Sequence, residues 1–152
     1  MRLYTFCNYY LSSIQQGIQS AHLVHDLFVK YQEDGLESYN LFEWASKHKT
    51  MVVLNGGNSE DLLSMYTNLG LFAIKMNYPH ALFCEDKASL NSAVTCVGAV
   101  LPEPIYVYNE ELKKLPKDHK LEAQSTALAQ YMGLSYEDVQ LAELIRSYPL
   151  AK

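Results

Sequence analysis

Residues 50–63, TMVVLNGGNSEDLL, contain a complete transition from strand to turn to helix. The apolar run at 50–55 is typical of a short strand that is covered on both faces. Two glycines then allow a tight turn, Asn58 or Ser59 can cap a helix, and acidic residues occupy its first turn. The stretch therefore predicts a βα unit and, with it, an α/β fold.

The sequence on either side extends this pattern. Runs of aromatic and β-branched residues predict strands, and apolar residues at helical spacing predict helices. Further strands are expected at 2–10, 80–86 and 93–101, and further helices from Ser12 or Ser13 to about Tyr31 and at about 38–48. We therefore expect one α/β domain over residues 1–104, with a small mixed sheet of about four strands and helices on both faces.

The pattern changes after residue 104. IYVYN, at 105–109, is expected to form a short strand. Two short helices are predicted between residues 123 and 148, and the second is capped by Ser135. Their apolar side chains are too numerous to be left in water as one patch. Residues 105–152 are therefore expected to form a C-terminal helical extension, packed on the domain or on a second copy of the chain in a homodimer.

Composition and charge limit the classes of function that the chain can have. The chain has 152 residues, of which 49% are hydrophobic and 19% charged, so it can bury a sizeable core. Its formal net charge is −5, so the chain lacks the overall basic charge that is usual in nucleic-acid-binding proteins. No apolar run has the length of a membrane span, and the first residues lack the apolar block of a signal peptide. We expect a cytoplasmic protein with no membrane partner.

Three cysteines, Cys7, Cys84 and Cys96, fall in predicted strands. Their odd number and the absence of CxxC spacing favour buried, reduced thiols over disulfide bonds or a zinc site. Glycine-rich phosphate loops and the common hydrolase motifs are also absent from the sequence. We therefore expect neither a metal nor a cofactor.

The first predicted helix carries two adjacent stripes of side chains. One stripe is apolar and is expected to be buried; it consists of Ile14, Ile18, Ala21 and Phe28. The stripe beside it is polar; it consists of Gln15, Gln19, His22 and Asp26. His25 falls in the apolar stripe and is expected in the core. The polar stripe indicates either a solvated face or the lining of a site.

Charged residues also cluster at the end of a predicted strand. CEDK, at 84–87, places Glu85, Asp86 and Lys87 there. Ligands of α/β folds tend to bind at strand ends, so these side chains are candidates for a site. An ordinary polar turn explains them equally well.

Taken together, these residues resemble the archaeal and eukaryotic type of peptidyl-tRNA hydrolase. IQSAHL, at 18–23, keeps Gln19 and His22 at the spacing of that family's Ala-Gln-x-x-His-Ala pattern. A helix with a tryptophan, an apolar strand and a helix led by acidic residues then follow in the family's order within residues 41–66.

The resemblance continues through LFCEDKASLNSAVTCVGAVLP, at 82–102. This stretch is similar to the family's Asp-Ala-Gly-x-Thr and Thr-Val-x-x-Ile-Gly motifs, with Thr95 and Gly98 in register. The matched part of the chain is about residues 2–102, and the remainder has no counterpart in the family.

The resemblance implies a cleft shared by polar groups of the first helix and the strand ends. Its ligand-binding residues would be Gln15, Gln19 and Thr95. Hydrolysis of a peptidyl-tRNA ester needs a group that orients water and a cation or donors for the oxyanion. The resemblance assigns the first role to Asp86 with His22, and Lys87 is the candidate for the second.

This chain departs from the family at two points. The family's lysine at the start of the first helix falls near Gln15, and no lysine lies between Met1 and Lys30. Lys87 and Ala88 replace the Ala-Gly of the strand-end motif, and Glu85 instead of Asp86 is an alternative register for its carboxylate.

Two functions therefore stay open at this stage. One is a catalytically weak or silent module that binds RNA, a nucleotide or a protein in the family's cleft. The other is an active hydrolase that cleaves the ester of peptidyl-tRNA or of a related nucleotide. The missing lysine and the acidic charge favour the first function, and the family resemblance favours the second. A tRNA or nucleotide ligand is the partner that the resemblance implies.

Overall fold

A four-stranded mixed sheet forms the centre of the protein, as the sequence predicts. The computed structural model describes residues 1–117 and 120–151, without the side chain of Ser89. The strands are β1 (Arg2–Asn8), β2 (Met51–Gly57), β3 (His80–Cys84) and β4 (Val94–Leu101). Their order is β2–β1–β4–β3, and β1 pairs in parallel with β2 and antiparallel with β4. β3 is also antiparallel to β4.

Helices cover both faces of this sheet. They are α1 (Ser13–Lys30), α2 (Leu36–Glu43) with a π-helical turn at Trp44–His48, α3 (Ser59–Ala73), α4 (Lys87–Leu90), α5 (Glu103–Lys114), α6 (Leu121–Tyr131) and α7 (Tyr136–Arg146). One buried cluster joins α1 and α2 to the sheet, and a second cluster joins α3, α5 and α7 to it. The α/β prediction with helices on both faces is confirmed.

The alternation of side chains along β1 separates the two clusters. Leu3 and Cys7 pack on the α1 side, and Tyr4 and Phe6 pack on the α3 side. Successive residues of a strand point to opposite faces, so a strand buried on both faces needs apolar residues at nearly every position. β1 meets this requirement, because six of its seven residues are buried.

The caps that the sequence predicts are present. Ser12 caps α1 and forms a capping box with Gln15, whereas Asn58 and Ser135 form the same motif with Asp61 and Asp138 at α3 and α7. A cap of this kind satisfies backbone N–H groups that the first helical turn leaves unpaired. The strand expected at 50–55 lies at the edge of the sheet, and its side chains are less buried than predicted.

α1 buries a different face from the expected one. Ile14 is 77% exposed, Ile18 is 49% exposed, and His25 is also exposed. The buried residues of the helix are Gln16, Gln19, Ser20, Leu23 and Leu27. Apolar periodicity predicts the wrong buried face, because three of the five buried side chains are polar. Their hydrogen-bond partners are Thr5, the Leu11 carbonyl and Glu85.

The strand predicted at 105–109 is wrong, since these residues belong to α5. Pro104 lies in the first turn of that helix, where a missing N–H group costs nothing. Ile105, Tyr108 and Asn109 are its buried residues, at spacings of three and four that fit a helix.

The C-terminal segment packs on the sheet of its own chain. Leu141, Ala142 and Ile145 of α7 are buried in the cluster on the α3 side. The chain after α7 then lies along β2, where Asn55 N donates to Pro149 O at 2.9 Å and Ala151 N donates to Val53 O at 3.0 Å. Homodimer formation through this segment stays a prediction. No helix in the described part of the chain has the length and apolar character needed to cross a membrane.

Removal of residues 121–152 is expected to cause aggregation or to lower the midpoint of urea unfolding, because it uncovers the core beneath α7. In the full chain, Leu141→Ala should cost about 2–5 kcal/mol, since it leaves a cavity at a side chain with no exposed surface. Tyr131→Ala is the control, because this side chain is 90% exposed. A soluble truncated protein of unchanged stability would contradict the prediction.

His80 is the basis of a second prediction, which concerns the dependence of stability on pH. The residue is 5% exposed, its Nδ1 lies 3.0 Å from Tyr78 O, and Lys30 Nζ donates to its carbonyl at 2.8 Å. Burial, with a smaller contribution from the Lys30 cation, lowers the pKa of His80 below its ordinary value of 6.5. Below that pH the unfolded chain binds a proton that the folded chain resists, so this residue makes stability fall as the pH drops.

The expected result is that His80→Gln lessens the loss of stability between about pH 7 and about pH 5.5. His25→Gln is the matched control, because His25 is exposed on α1. Urea unfolding at the two pH values measures the difference. Equal losses in wild type and His80→Gln would show that His80 does not contribute to the pH dependence.

Candidate functional site

The carboxyl ends of β1, β2 and β3 and the amino end of β4 meet at one edge of the sheet, which we call the carboxyl edge. Two β-bulges lie there. In one of them, Phe83 pairs with Cys96 and Cys84 pairs with Val94, so Thr95 is the extra residue of β4. A bulge changes the direction of a side chain, and here it allows Thr95 to reach α1.

A buried hydrogen-bonded chain starts at Thr95. Its Oγ1 donates to Gln19 Oε1 at 2.8 Å, and Gln19 Nε2 donates to Glu85 Oε1 at 2.6 Å. Thr95 is 2% exposed and Gln19 is 7% exposed, whereas Glu85 is half-buried at the end of β3. The hydroxyl and the carboxylate together fix the orientation of the amide, and the Thr95–Gln19–Glu85 chain therefore holds the Glu85 carboxylate in place.

A second network joins β1, α3 and β4 at the same edge. Asn8 Nδ2 donates to Ser59 Oγ at 3.2 Å, and Ser59 Oγ donates to the carbonyl of Val94 at 2.9 Å. The two residues after Asn8 are Tyr9 and Tyr10, which are 45% and 76% exposed. Their ring centroids lie 3.9 Å apart. An exposed aromatic pair thus stands at the edge of the sheet that holds the Thr95–Gln19–Glu85 chain.

Two buried cysteines, Cys7 and Cys96, lie in the interior between α1 and the sheet. Cys7 Sγ lies 3.6 Å from Cys96 Sγ and 3.4 Å from Ser20 Oγ, and Ser20 Oγ lies 3.0 Å from Thr5 Oγ1. Burial raises the pKa of Cys96, and the hydrogen bond with Cys96 lowers the pKa of Cys7, so Cys7 is the more acidic thiol. All three cysteines are free thiols as expected, but Cys84 is exposed rather than buried.

The structure brings two of the predicted site residues, Gln19 and Thr95, into direct contact. Gln15 is exposed, and its Oε1 accepts from the backbone N–H of Ser12 at 2.9 Å within the capping box. His22 lies one turn beyond Gln19, exposed, with its ring stacked on Phe83 at a centroid distance of 4.8 Å.

The strand-end charges are arranged in the alternative register. Glu85 is the carboxylate that contacts Gln19, whereas Asp86 and Lys87 are exposed in the residues that follow it. The roles predicted for Asp86, Lys87 and His22 in hydrolysis stay predictions. Among the residues that the structure describes, no group of histidine, cysteine and acidic side chains is placed to hold a metal ion.

Sequence reasoning missed several members of this site. Gln16 and Ser20 belong to neither of the two stripes that the sequence pattern marks on α1, so the pattern does not single them out. Leu23 and Leu27, four residues apart, mark the buried face and could have located Gln16, Gln19 and Ser20 one and two turns before them. Asn8 and the tyrosine pair fall within the strand expected at 2–10, which ends at Asn8 in the structure, so the sequence pattern does not mark them as members of a site.

The sequence matches no protein-family model, and no curated protein matches it at a significant level. The family resemblance of the motifs thus stands without independent support. Function has to be argued from the geometry and chemistry of the carboxyl edge, because a fold alone does not determine an activity.

The buried amide of the site generates a stability prediction. Gln19→Ala is expected to cost about 2 kcal/mol, because it leaves the buried Thr95 hydroxyl without its acceptor and removes the donor to Glu85. Gln15→Ala, four residues earlier on the same helix, removes only an exposed cap and should cost about 1 kcal/mol or less. Urea unfolding measures both, and equal costs would contradict a rigid, buried Gln19.

Proposed function

We propose that this protein is a catalytically silent binding module, which holds the terminal ribose and base of a nucleotide or of an RNA 3′ end at its carboxyl edge. The Thr95–Gln19–Glu85 chain carries the proposal, because it presents an oriented carboxylate at the edge of the sheet that also carries the exposed Tyr9–Tyr10 pair. The resemblance of the motifs to peptidyl-tRNA hydrolases supports the same class of ligand.

The carboxylate suits a ribose. Glu85 Oε1 accepts the amide of Gln19, and within the described residues Oε2 has no hydrogen-bond partner. An ionised carboxylate accepts hydrogen bonds and donates none. The 2′ and 3′ hydroxyls of a ribose are a neighbouring pair of donors that suit such an acceptor. An acidic side chain at a strand end binds ribose hydroxyls in dinucleotide-binding folds for the same reason.

The aromatic rings suit a base. Proteins that bind unpaired nucleotides stack the bases on aromatic side chains, largely without regard to sequence. Tyr9 and Tyr10 are exposed at this edge although large aromatic residues are usually buried, so their rings are available for such contacts. The formal net charge of −5 favours recognition of the ribose and base over recognition of several phosphates.

The absence of hydrolysis follows from the charges near α1. An ester hydrolase needs a cation or strong donors where the oxyanion develops. In the resemblance the family's lysine falls near Gln15, whose side-chain oxygen is committed to the cap of α1. A neutral amide engaged in this way adds no positive charge to the site.

Binding is tested with adenosine and with 2′,3′-dideoxyadenosine, which lacks the 2′ and 3′ hydroxyls and keeps the 5′ hydroxyl. Adenosine at about ten times its Kd is expected to raise the unfolding temperature of wild type by a few degrees, because it binds only the folded state. The dideoxy compound should give a smaller rise. Glu85→Gln should abolish this difference, whereas Asp86→Asn, at the adjacent exposed carboxylate, should preserve it.

An equal response to the two nucleosides, or a larger effect of Asp86→Asn than of Glu85→Gln, would overturn the assignment of the ribose to Glu85. A protein that responds to neither nucleoside nor to a tRNA 3′-end oligonucleotide would overturn the proposed function itself.

Catalysis is tested by the release of tRNA from peptidyl-tRNA. We expect no release by wild type and measurable release by Gln15→Lys, which restores a cation at the start of α1. If wild type is active and Asp86→Asn or Lys87→Ala lowers its rate by about 10²–10⁴, the active hydrolase is the correct function and the silent module is wrong.

A further inference from the structure

A separate cavity lies on the opposite face of the sheet from the Thr95–Gln19–Glu85 chain. Its volume is about 280 Å³, close to the lower end of the range of about 300–1,000 Å³ found for small-molecule pockets. β1, β2, α5, α7 and the C-terminal segment contribute its walls. Its apolar lining includes Val52, Leu54, Ile145 and Leu150.

Tyr4 brings a phenolic hydroxyl to this cavity. Tyr4 lines the cavity and is 4% exposed, and within the described residues its hydroxyl makes no hydrogen bond. Tyr106 and Glu110, which also line the cavity, lie close enough to Tyr4 to shift its pKa. Burial is the main cause that raises the pKa of Tyr4 to about 12, so the hydroxyl remains a donor at neutral pH. A protonated phenol that makes no hydrogen bond to the described residues can donate to an oxygen of a molecule bound in the cavity.

A cation lies at the same cavity. Arg146 Nη1 donates to Asn109 Oδ1 at 3.0 Å, and this amide is neutral. No acidic side chain in the described parts of the chain forms an ion pair with Arg146. The other cation of the lining, Lys113, is paired with Glu110 at 2.5 Å. Arg146 therefore offers a positive charge that an anionic ligand can neutralise.

We infer that this cavity binds a small aromatic carboxylic acid with one or two rings. The rings occupy the apolar space between β2 and α7, the Tyr4 hydroxyl donates to an oxygen of the molecule, and Arg146 pairs with its carboxylate. An apolar lining with a few convergent polar groups is the usual character of a small-molecule site. The inference shares no residue with the proposed nucleotide site and does not depend on it.

The probe is 2-naphthoate, titrated into the full-length chain by calorimetry, with the neutral 2-naphthalenemethanol as its matched control. Wild type is expected to bind the carboxylate about ten-fold more tightly than the alcohol, as a charge-assisted hydrogen bond predicts. Tyr4→Phe should weaken naphthoate binding about ten-fold, because it removes one oxygen and keeps the ring. Arg146→Gln should remove the preference for the carboxylate, and Lys75→Gln, at an exposed cation in the turn after α3, should leave binding unchanged.

Three results with wild type and the two cavity variants would overturn the inference. They are the absence of saturable naphthoate binding to wild type, equal affinity for the acid and the alcohol, and unchanged binding in both Tyr4→Phe and Arg146→Gln. Loss of naphthoate binding in Glu85→Gln would place the probe at the carboxyl edge and would overturn it as well. Unfolding midpoints report whether each variant is folded, and Arg146→Gln keeps the test decisive because Arg146 is exposed.

Discussion

The pairing of β1 between β2 and β4 is the constraint on which the rest of the structure depends. Because β1 is covered on both faces, each of its side chains must belong to one of two interiors. Thr5 and Cys7 meet α1, and Tyr4 and Phe6 meet the helices on the other side. Both candidate sites follow from this strand, since one lies at its carboxyl end and the other beside Tyr4.

The interior beneath α1 is partly polar: hydrogen-bonded side chains take the place of some of the apolar contacts there and fix the geometry. Ser20 contacts Thr5 and Cys7, and Gln19 contacts Thr95. Buried groups of this kind are costly when unpaired and orient one another strongly when every member is satisfied. α1 exposes Ile14 and Ile18 and buries Gln16 and Gln19, so its exposed face is more apolar than its buried face at these positions. The buried amide of Gln19 in turn holds the Glu85 carboxylate in place.

Most of the fold could be predicted from the sequence, because local signals and burial agree in it. Runs of aromatic, β-branched and other apolar residues located the strands, and the caps at Ser12, Asn58 and Ser135 located the helix starts. The failures occur where tertiary contacts override local pattern. Residues 105–109 are β-like in composition but are helical because they dock on the sheet. The contact of the Glu85 carboxylate with Gln19 depends on a bulge at Thr95 that no sequence pattern marks.

The C-terminal segment along β2 has a consequence for synthesis of the protein. β2 is an edge strand, and an open edge is a template for pairing with other chains. The residues that cover it, Pro149–Ala151, leave the ribosome roughly 95 residues after β2, about 5–20 seconds later at usual rates of translation. During that interval the nascent sheet can already contain all four strands while one side stays uncovered. The completed chain thus closes an edge that the growing chain must leave open.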